Sequence, residues 1–248
     1  AYLSTITDDY ETLNMYKWGL DSSYGLTGMA EGEFAVQDLT WEIVNKMNLG
    51  VELGFLNGMI DLQLDYFDER RKDIFMPRES VPMTAGFMKQ PWKNFGKVTN
   101  QGVEVSLNVN KQFGKDLFVS LMGTFTYAHN EITEKDEPSA VVGTNRAETG
   151  HPVGQLTGYI AEGLFTADDF GDVSTGKLKE GIPTQSFVGK LRPGDIRYRD
   201  VNGDGKVDVF DKSPIGGTKD PEIVYGFGLN MKYKNLDFGA LFQGIGRS

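Results

Sequence analysis

The sequence predicts an all-β chain built from antiparallel amphipathic hairpins, and three observations carry that prediction. Polarity alternates residue by residue over three separate stretches, a tight turn breaks each stretch in its middle, and long connections separate one stretch from the next. The composition agrees, since 31 glycines and 12% aromatics in 248 residues suit turns and half-buried strands better than helices.

The first hairpin spans about residues 41–66. Trp41, Ile43, Met47, Leu49, Val51, Leu53 and Phe55 take odd positions, while Glu42, Lys46, Asn48, Gly50, Glu52 and Gly54 take even ones. Asn57–Gly58 then turns the chain, because both residues tolerate positive φ. The return strand sets Ile60, Leu62, Leu64 and Tyr66 against Asp61, Gln63 and Asp65. Residues 67–101, with Pro77, Pro82 and Pro91, are expected to form a loop.

The second hairpin covers about 102–128. Val103, Val105, Leu107 and Val109 oppose Glu104, Ser106, Asn108 and Asn110, and Gln112–Asp116 supplies the turn. Leu117, Val119, Leu121, Phe125 and Tyr127 follow, with Phe118 and Met122 interrupting an otherwise polar face. A long loop is expected over 129–221. The third hairpin, about 222–244, sets Ile223, Tyr225, Phe227, Leu229, Met231 and Tyr233 on one face, turns at Lys234–Asn235, and returns through Leu236, Phe238, Ala240 and Phe242.

Two architectures share this pattern: a soluble sandwich or up-and-down barrel, and an outer-membrane barrel with short turns at one end and long loops at the other. A connection as long as 129–221 is unusual in a soluble domain. Aromatics also fall near strand ends, with Trp41, Tyr66, Tyr127 and Tyr225 toward the long loops and Phe55 and Tyr233 toward the tight turns, as in the two interfacial girdles of a barrel. No apolar run reaches the length of a membrane-spanning helix, and Ala1–Thr5 does not look like a secretory signal.

Several function classes are excluded. A net charge of −10 with no basic stripe argues against nucleic acid. The absence of cysteine removes disulfides, thiolate metal sites and cysteine catalysis. His129 and His151 stand in loop-like sequence without a nucleophile motif, and Asp168–Asp169 reads as a turn or helix cap, so no enzyme is expected.

The stretch RDVNGDGKVDVFD, residues 199–211, has the donor spacing of a calcium loop. Asp200, Asn202, Asp204, Asp208 and Asp211 would offer side-chain oxygens, Lys206 its backbone carbonyl, and Gly205 the sharp turn. The Pro and Gly in the flanking RPGDIRY and KSPIGG oppose EF-hand helices, which leaves either a calcium-ordered loop or a run of Asx and Gly turns. An Asp at the twelfth position in place of a bidentate Glu lowers the expected affinity.

Five stretches resemble, in family order, the SusC/RagA-type TonB-dependent outer-membrane transporters of Bacteroidetes. They are DLTWEIVNKMNLGVELGFLNGMIDLQLDYFDERRKDIF (38–75), NFGKVTNQGVEVSLN (94–108), GHPVGQLTGYIAEGLF (150–165), and RPGDIRYRDVNGDGKVD with the later IGGTKDPEIVYGFGLNMKYKNLDFGALFQG. The resemblance implies that all 248 residues belong to one barrel domain of about 22 strands around a plug, with the plug, signal peptide and both ends of the barrel lying outside this sequence. It implies an outer-membrane location, with outer-membrane lipid against the odd face and a polar lumen lined by residues such as Glu52, Asp61, Gln63, Glu104 and Asn108.

By the same resemblance, the long loops would meet a SusD-like surface lipoprotein, TonB would act through the plug, and the cargo would be an oligosaccharide or a peptide. Phe87, Trp92, Phe95, Phe165, Phe170 and Phe187 are the loop aromatics that would stack on sugar rings or the lid, or else pack within the loops. The rival expectation is a secreted, soluble, calcium-stabilised β-domain that binds carbohydrate or acts as an adhesin. It leaves three hairpins of Val, Leu, Met and Phe unshielded from water.

Overall fold

The computed structural model describes residues 36, 38–85 and 89–247, except the side chain of Met83, together with the backbone of two short strands, β1 (Tyr10–Asn14) and β2 (Thr27–Glu31), which pair antiparallel. The main body is a six-stranded antiparallel meander. Its strands are β3 (Ile43–Phe55), β4 (Ile60–Pro77), β5 (Trp92–Phe113), β6 (Leu117–Glu134), and, after the long connection, β15 (Ile223–Tyr233) and β16 (Leu236–Gly246). Each pairs with its neighbour in chain order, β3 to β6 and then β15 and β16. No described helix is long and apolar enough to cross a membrane.

Tight turns fall where turn-forming residues stand. In the four-residue connection 56–59, Leu56, Asn57 and Gly58 adopt φ of 53°, 57° and 78°, and Met59 N–H donates to the Leu56 carbonyl, which closes a turn that positive φ makes possible. Lys234 takes φ 53° in the two-residue turn between β15 and β16, and its N–H donates to the Asp116 carbonyl of the neighbouring turn.

Register then decides the faces. Phe55, Ile60, Val109, Leu121, Leu229 and Ala240 form one cross-strand row, and Leu53, Leu62, Leu107, Gly123, Phe227 and Phe242 form the next. A single apolar face therefore runs across all six strands. A one-residue slip would move every member to the other side, so the pattern fixes the pairing.

Three strands run beyond their expected ends. Polarity alternation predicts a loop over 67–101, yet β4 continues to Pro77 and β5 begins at Trp92; likewise β6 runs to Glu134, not to about 128. The cause is that above Tyr66 and Tyr127 apolar residues such as Ile74, Phe75, Val98 and Ile132 no longer alternate strictly with polar ones, so the backbone ladder continues after the period-2 signal has stopped. A bulge around Asp73 (φ 58°) adds to the disguise.

The connection from 135 to 222 folds into small paired strands. β7 (Gln155–Gly158) pairs with β14 (Ser213–Thr218), and β8 (Ala161–Leu164) with β12 (Ile196–Tyr198). β9 (Phe170–Asp172) pairs with β10 (Lys177–Leu178), and β11 (Thr184–Gln185) runs parallel to β13 (Lys206–Val207). Phe165, Phe170, Leu178 and Leu191 form a buried cluster here, with Ile182 and Val188 packed against it. The long loop thus has a hydrophobic core of its own.

Candidate functional site: the lumen wall and the folded outer loop

The polar face of the sheet is built by the residues that alternate with the apolar rows. Glu52, Gln63, Ser106 and Thr124 form one row, and Gly50, Asp65, Glu104 and Thr126 the next. Gly50 lacks a side chain where Asp65 needs space: a Cβ there would lie 2.5 Å from the Asp65 Oδ1. Gln63 Nε2 donates to Asp65 Oδ2 at 3.0 Å. Higher up, Lys46, Glu69, Asn100 and Asn130 share a row, and Lys46 Nζ pairs with Glu69 at 2.5 Å. Met122 and Leu241 interrupt this face, and Gly228 between them leaves room, since a Cβ there would meet Met122 Cγ at 2.8 Å.

On the apolar face the aromatic positions mark a band. Tyr66, Val103, Tyr127 and Ile223 lie in one row, whereas Phe113, Leu117, Tyr233 and Leu236 lie in another at the end with the tight turns. The ten steps from Tyr127 to Leu117 measure about 33 Å along a strand, which a tilt near 40° reduces to roughly 25 Å, the height of a barrel's apolar belt. Tyr225 lies across Gly244 of the next strand, where a Cβ would meet the Tyr225 Cζ at 2.5 Å. Just above the Tyr66 row the same face carries Asp68 and Arg70, whose guanidinium donates to that carboxylate at 3.0 and 3.2 Å. Oily residues thus give way to charges within one step.

Polar clasps tie the outer loop to the strand tops. Arg78, just beyond β4, donates to Asp136 Oδ2 at 2.8 Å, and Ser80 adds its N–H at 3.2 Å and its hydroxyl at 3.0 Å. Burial raises the pKa of Asp136, but the hydrogen bonds from Arg78 and Ser80 outweigh burial and hold its carboxyl below the ordinary 3.8. Glu137 accepts the N–H groups of Glu148 and Thr149 and the Thr149 hydroxyl. Asp169 caps the turn at Ala167 by accepting the Thr166 N–H and hydroxyl, which is the capping role expected for this acidic pair.

The aromatic candidates divide. Phe165 and Phe170 are only 2% and 5% exposed, with rings 5.9 Å apart inside the loop core, so neither can stack on a sugar or a lid. This corrects the contact expectation for both: a loop of this length needs an interior, and these rings supply it. Phe95 packs under the Arg78 guanidinium at 5.4 Å, and Trp92 stacks on Phe75 at 5.2 Å while remaining 47% exposed. Phe87 lies outside the described residues. Phe187 is exposed and stacks on Tyr159 at 4.6 Å, with Tyr198 completing the cluster. The two tyrosines gave no sign in the sequence, being 39 positions apart in segments without periodicity.

The loop at 200–211 is ordered by its own backbone. Asp200 accepts from the N–H groups of Gly203 and Gly205, Asn202 Oδ1 from that of Asp204, and Asp204 from that of Lys206. Asp211, fully buried, accepts from Val201, Asn202 and Asp208, while Asp208 accepts from Phe210 and pairs with Lys206 Nζ at 2.9 Å. The donor set suits a hard cation in chemistry, but among the described residues no three His, Cys, Asp or Glu side chains converge as a metal-binding group.

One apolar and one polar face, a belt of membrane height, interfacial aromatics and a folded loop at one end together define a section of a transmembrane β-barrel wall. The family model described as TonB dependent receptor-like, beta-barrel matches residues 7–234, and the chain belongs to that family. Its members are outer-membrane receptors and transporters, not enzymes.

The chain is 25% identical to TonB-dependent receptor P3 of Formosa agariphila over 94% of its own length and 23% of that protein. It is 29% identical to TonB-dependent receptor SusC of Bacteroides thetaiotaomicron, over 82% of this chain and 19% of SusC. The open-open state of the RagAB peptide importer superposes with a TM-score of 0.63 at 22% identity, over 96% of this chain and 23% of the solved one. The chain therefore spans about a quarter or less of the length of these relatives.

Proposed function

We propose that this chain supplies part of the lumen wall and one folded outer loop of an outer-membrane importer of nutrient oligomers. The carrying observation is the six-strand sheet with a belt-high apolar face and a polar face behind it. Such a sheet suits a wall that isolates a polar passage from lipid, and its apolar face would stand unshielded in water. The cargo, by this reading, is an oligosaccharide or a peptide, taken up with a SusD-like surface lipoprotein and driven through TonB. SusC among the relatives and the fold of the RagAB peptide importer support that assignment.

The test is fractionation of the full-length native protein. It should partition with outer membranes, shift mobility on heating, and co-purify with a lipoprotein; recovery in the soluble fraction would sink the proposal. Recovery from the membrane without a lipoprotein would remove the partner and leave the barrel.

The order of oxygen donors from Asp200 to Asp211 supports a separate proposal, that calcium tightens this loop. A carboxylate oxygen has two lone pairs, so accepting an N–H leaves one for a cation. Adding calcium to the chelated full-length protein should protect residues 199–213 from hydrogen exchange; identical exchange with calcium and with chelator would refute it.

A further inference from the structure

We propose that a cavity in the outer loop is a binding site for a carboxylate-bearing unit of the cargo. The cavity is about 390 Å³ and lies between the segment that leaves β6 and the segment around β14. Its walls carry Arg146, Lys212, Lys219 and His151, against a single acid, Glu148. That balance is the reverse of the chain's, which has 35 acidic residues to 25 Lys and Arg.

The acid is already neutralised, because Lys135 Nζ holds Glu148 Oε1 at 2.7 Å. The cations are not: Arg146, Lys212 and Lys219 form no ion pair among the described residues. Arg146 rests on the Phe210 ring at 4.8 Å and Lys212 on the Tyr159 ring at 5.7 Å, contacts that orient a cation and leave its charge unmatched. Asp208 also bears on Arg146, but its carboxylate is paired with Lys206.

The walls are fixed before any ligand arrives. Asn145 Nδ2 donates to the carbonyls of Phe210 and Lys212, Lys219 N–H donates to the Gly154 carbonyl, and β7 and β14, which both contribute lining residues, pair with each other. Asn130, in the polar row of Glu69 and Asn100, accepts the Val153 N–H at 2.7 Å. The cavity is thus fastened to the side of β6 that faces the passage. Its volume accommodates one sugar ring or one to two amino acids, well beyond a bare ion.

A uronate ring and a peptide C-terminus both present this carboxylate. The inference names a feature of the cargo of the proposed importer, but binding is measured without transport, so either can fail while the other stands. Full-length receptor in detergent would be titrated with digalacturonate, with an N-acetylated tripeptide free acid, and with the uncharged controls maltobiose and the N-acetylated tripeptide amide. One acidic probe should bind, more weakly as salt rises, and its identity tells sugar from peptide.

The double variant Arg146→Gln, Lys219→Gln should bind that probe at least about tenfold more weakly, as expected for losing charge-assisted hydrogen bonds. Arg146→Lys, Lys219→Arg should retain binding, which separates lost charge from lost fold. Equal binding of an acidic probe and its neutral control, no binding of either acidic probe, or unchanged affinity in the double Gln variant would each overturn the inference.

Discussion

Gly102 shows how one missing Cβ shapes the wall. It stands in the row of Asn48, Phe67 and Ala128, and a Cβ there would lie 2.6 Å from Phe67 Cζ and closer still to the Tyr127 carbonyl. The backbone cannot yield, so Gly102→Ala should cost about 1–3 kcal/mol, seen as a smaller heat-modifiable fraction after refolding into detergent micelles. An unchanged fraction would mean that the Phe67 ring and β6 shift without strain. The motif NQGVE displayed this glycine in the sequence but not its reason, because Phe67 lies 35 positions away and meets it only through the register. The same holds for Met122, which reads as a break in polarity until Gly228 is placed beside it.

Among elements, the clasp at the top of β4 titrates. Asp136 has its folded pKa below 3.8, so the stability it adds is complete above about pH 4 and is lost as pH falls through the depressed value. The melting deficit of Asp136→Asn relative to the parent protein should therefore be present at pH 7 and shrink toward pH 3; a deficit independent of pH would assign it to packing. The outer loop, in contrast, stands on its rings. Phe165→Ala should cost about 3–5 kcal/mol locally and expose 135–222 to protease while the six main strands stay protected; simultaneous loss of both would show that they unfold as one.

Elements were legible in the sequence in proportion to the asymmetry of their surroundings. The belt segments of β3, β4, β5, β6, β15 and β16 lie between lipid and a wet interior, and that contrast is written as strict alternation. The tops of β4 to β6 mix apolar and polar residues on both faces and the two-to-six-residue strands of the loop share a core, so nothing periodic marks them. Phe165 and Phe170 were visible as loop aromatics, but only the fold separates them from the exposed Phe187. The three cations of the loop cavity are scattered from 146 to 219 and carried no signal at all.

For the molecule as a whole, the two faces make opposite predictions for neighbouring residues. Leu107 lies in the belt on the apolar face and Ser106 on the polar face. Leu107→Lys in the full-length barrel should cost about 2–4 kcal/mol of folding stability in lipid vesicles, whereas Ser106→Lys should be nearly neutral. Equal costs would reverse the assignment of faces or bury both. Among the described residues the six-stranded sheet has β3 and β16 as its edges, each with a row of backbone groups open to pairing.

The overshoot of the strands above the belt gives the wall a height. β5 continues ten residues beyond Gly102 to Trp92, about 33 Å along the strand and roughly 25 Å above the lipid at a barrel's tilt. On the proposed reading, a protein anchored by an acyl chain in the leaflet beneath this rim would meet it as a parapet. Its anchor must reach upward through at least about seven fully extended residues before any folded part can rest on top, so a shorter leader would confine it to the flank of the barrel.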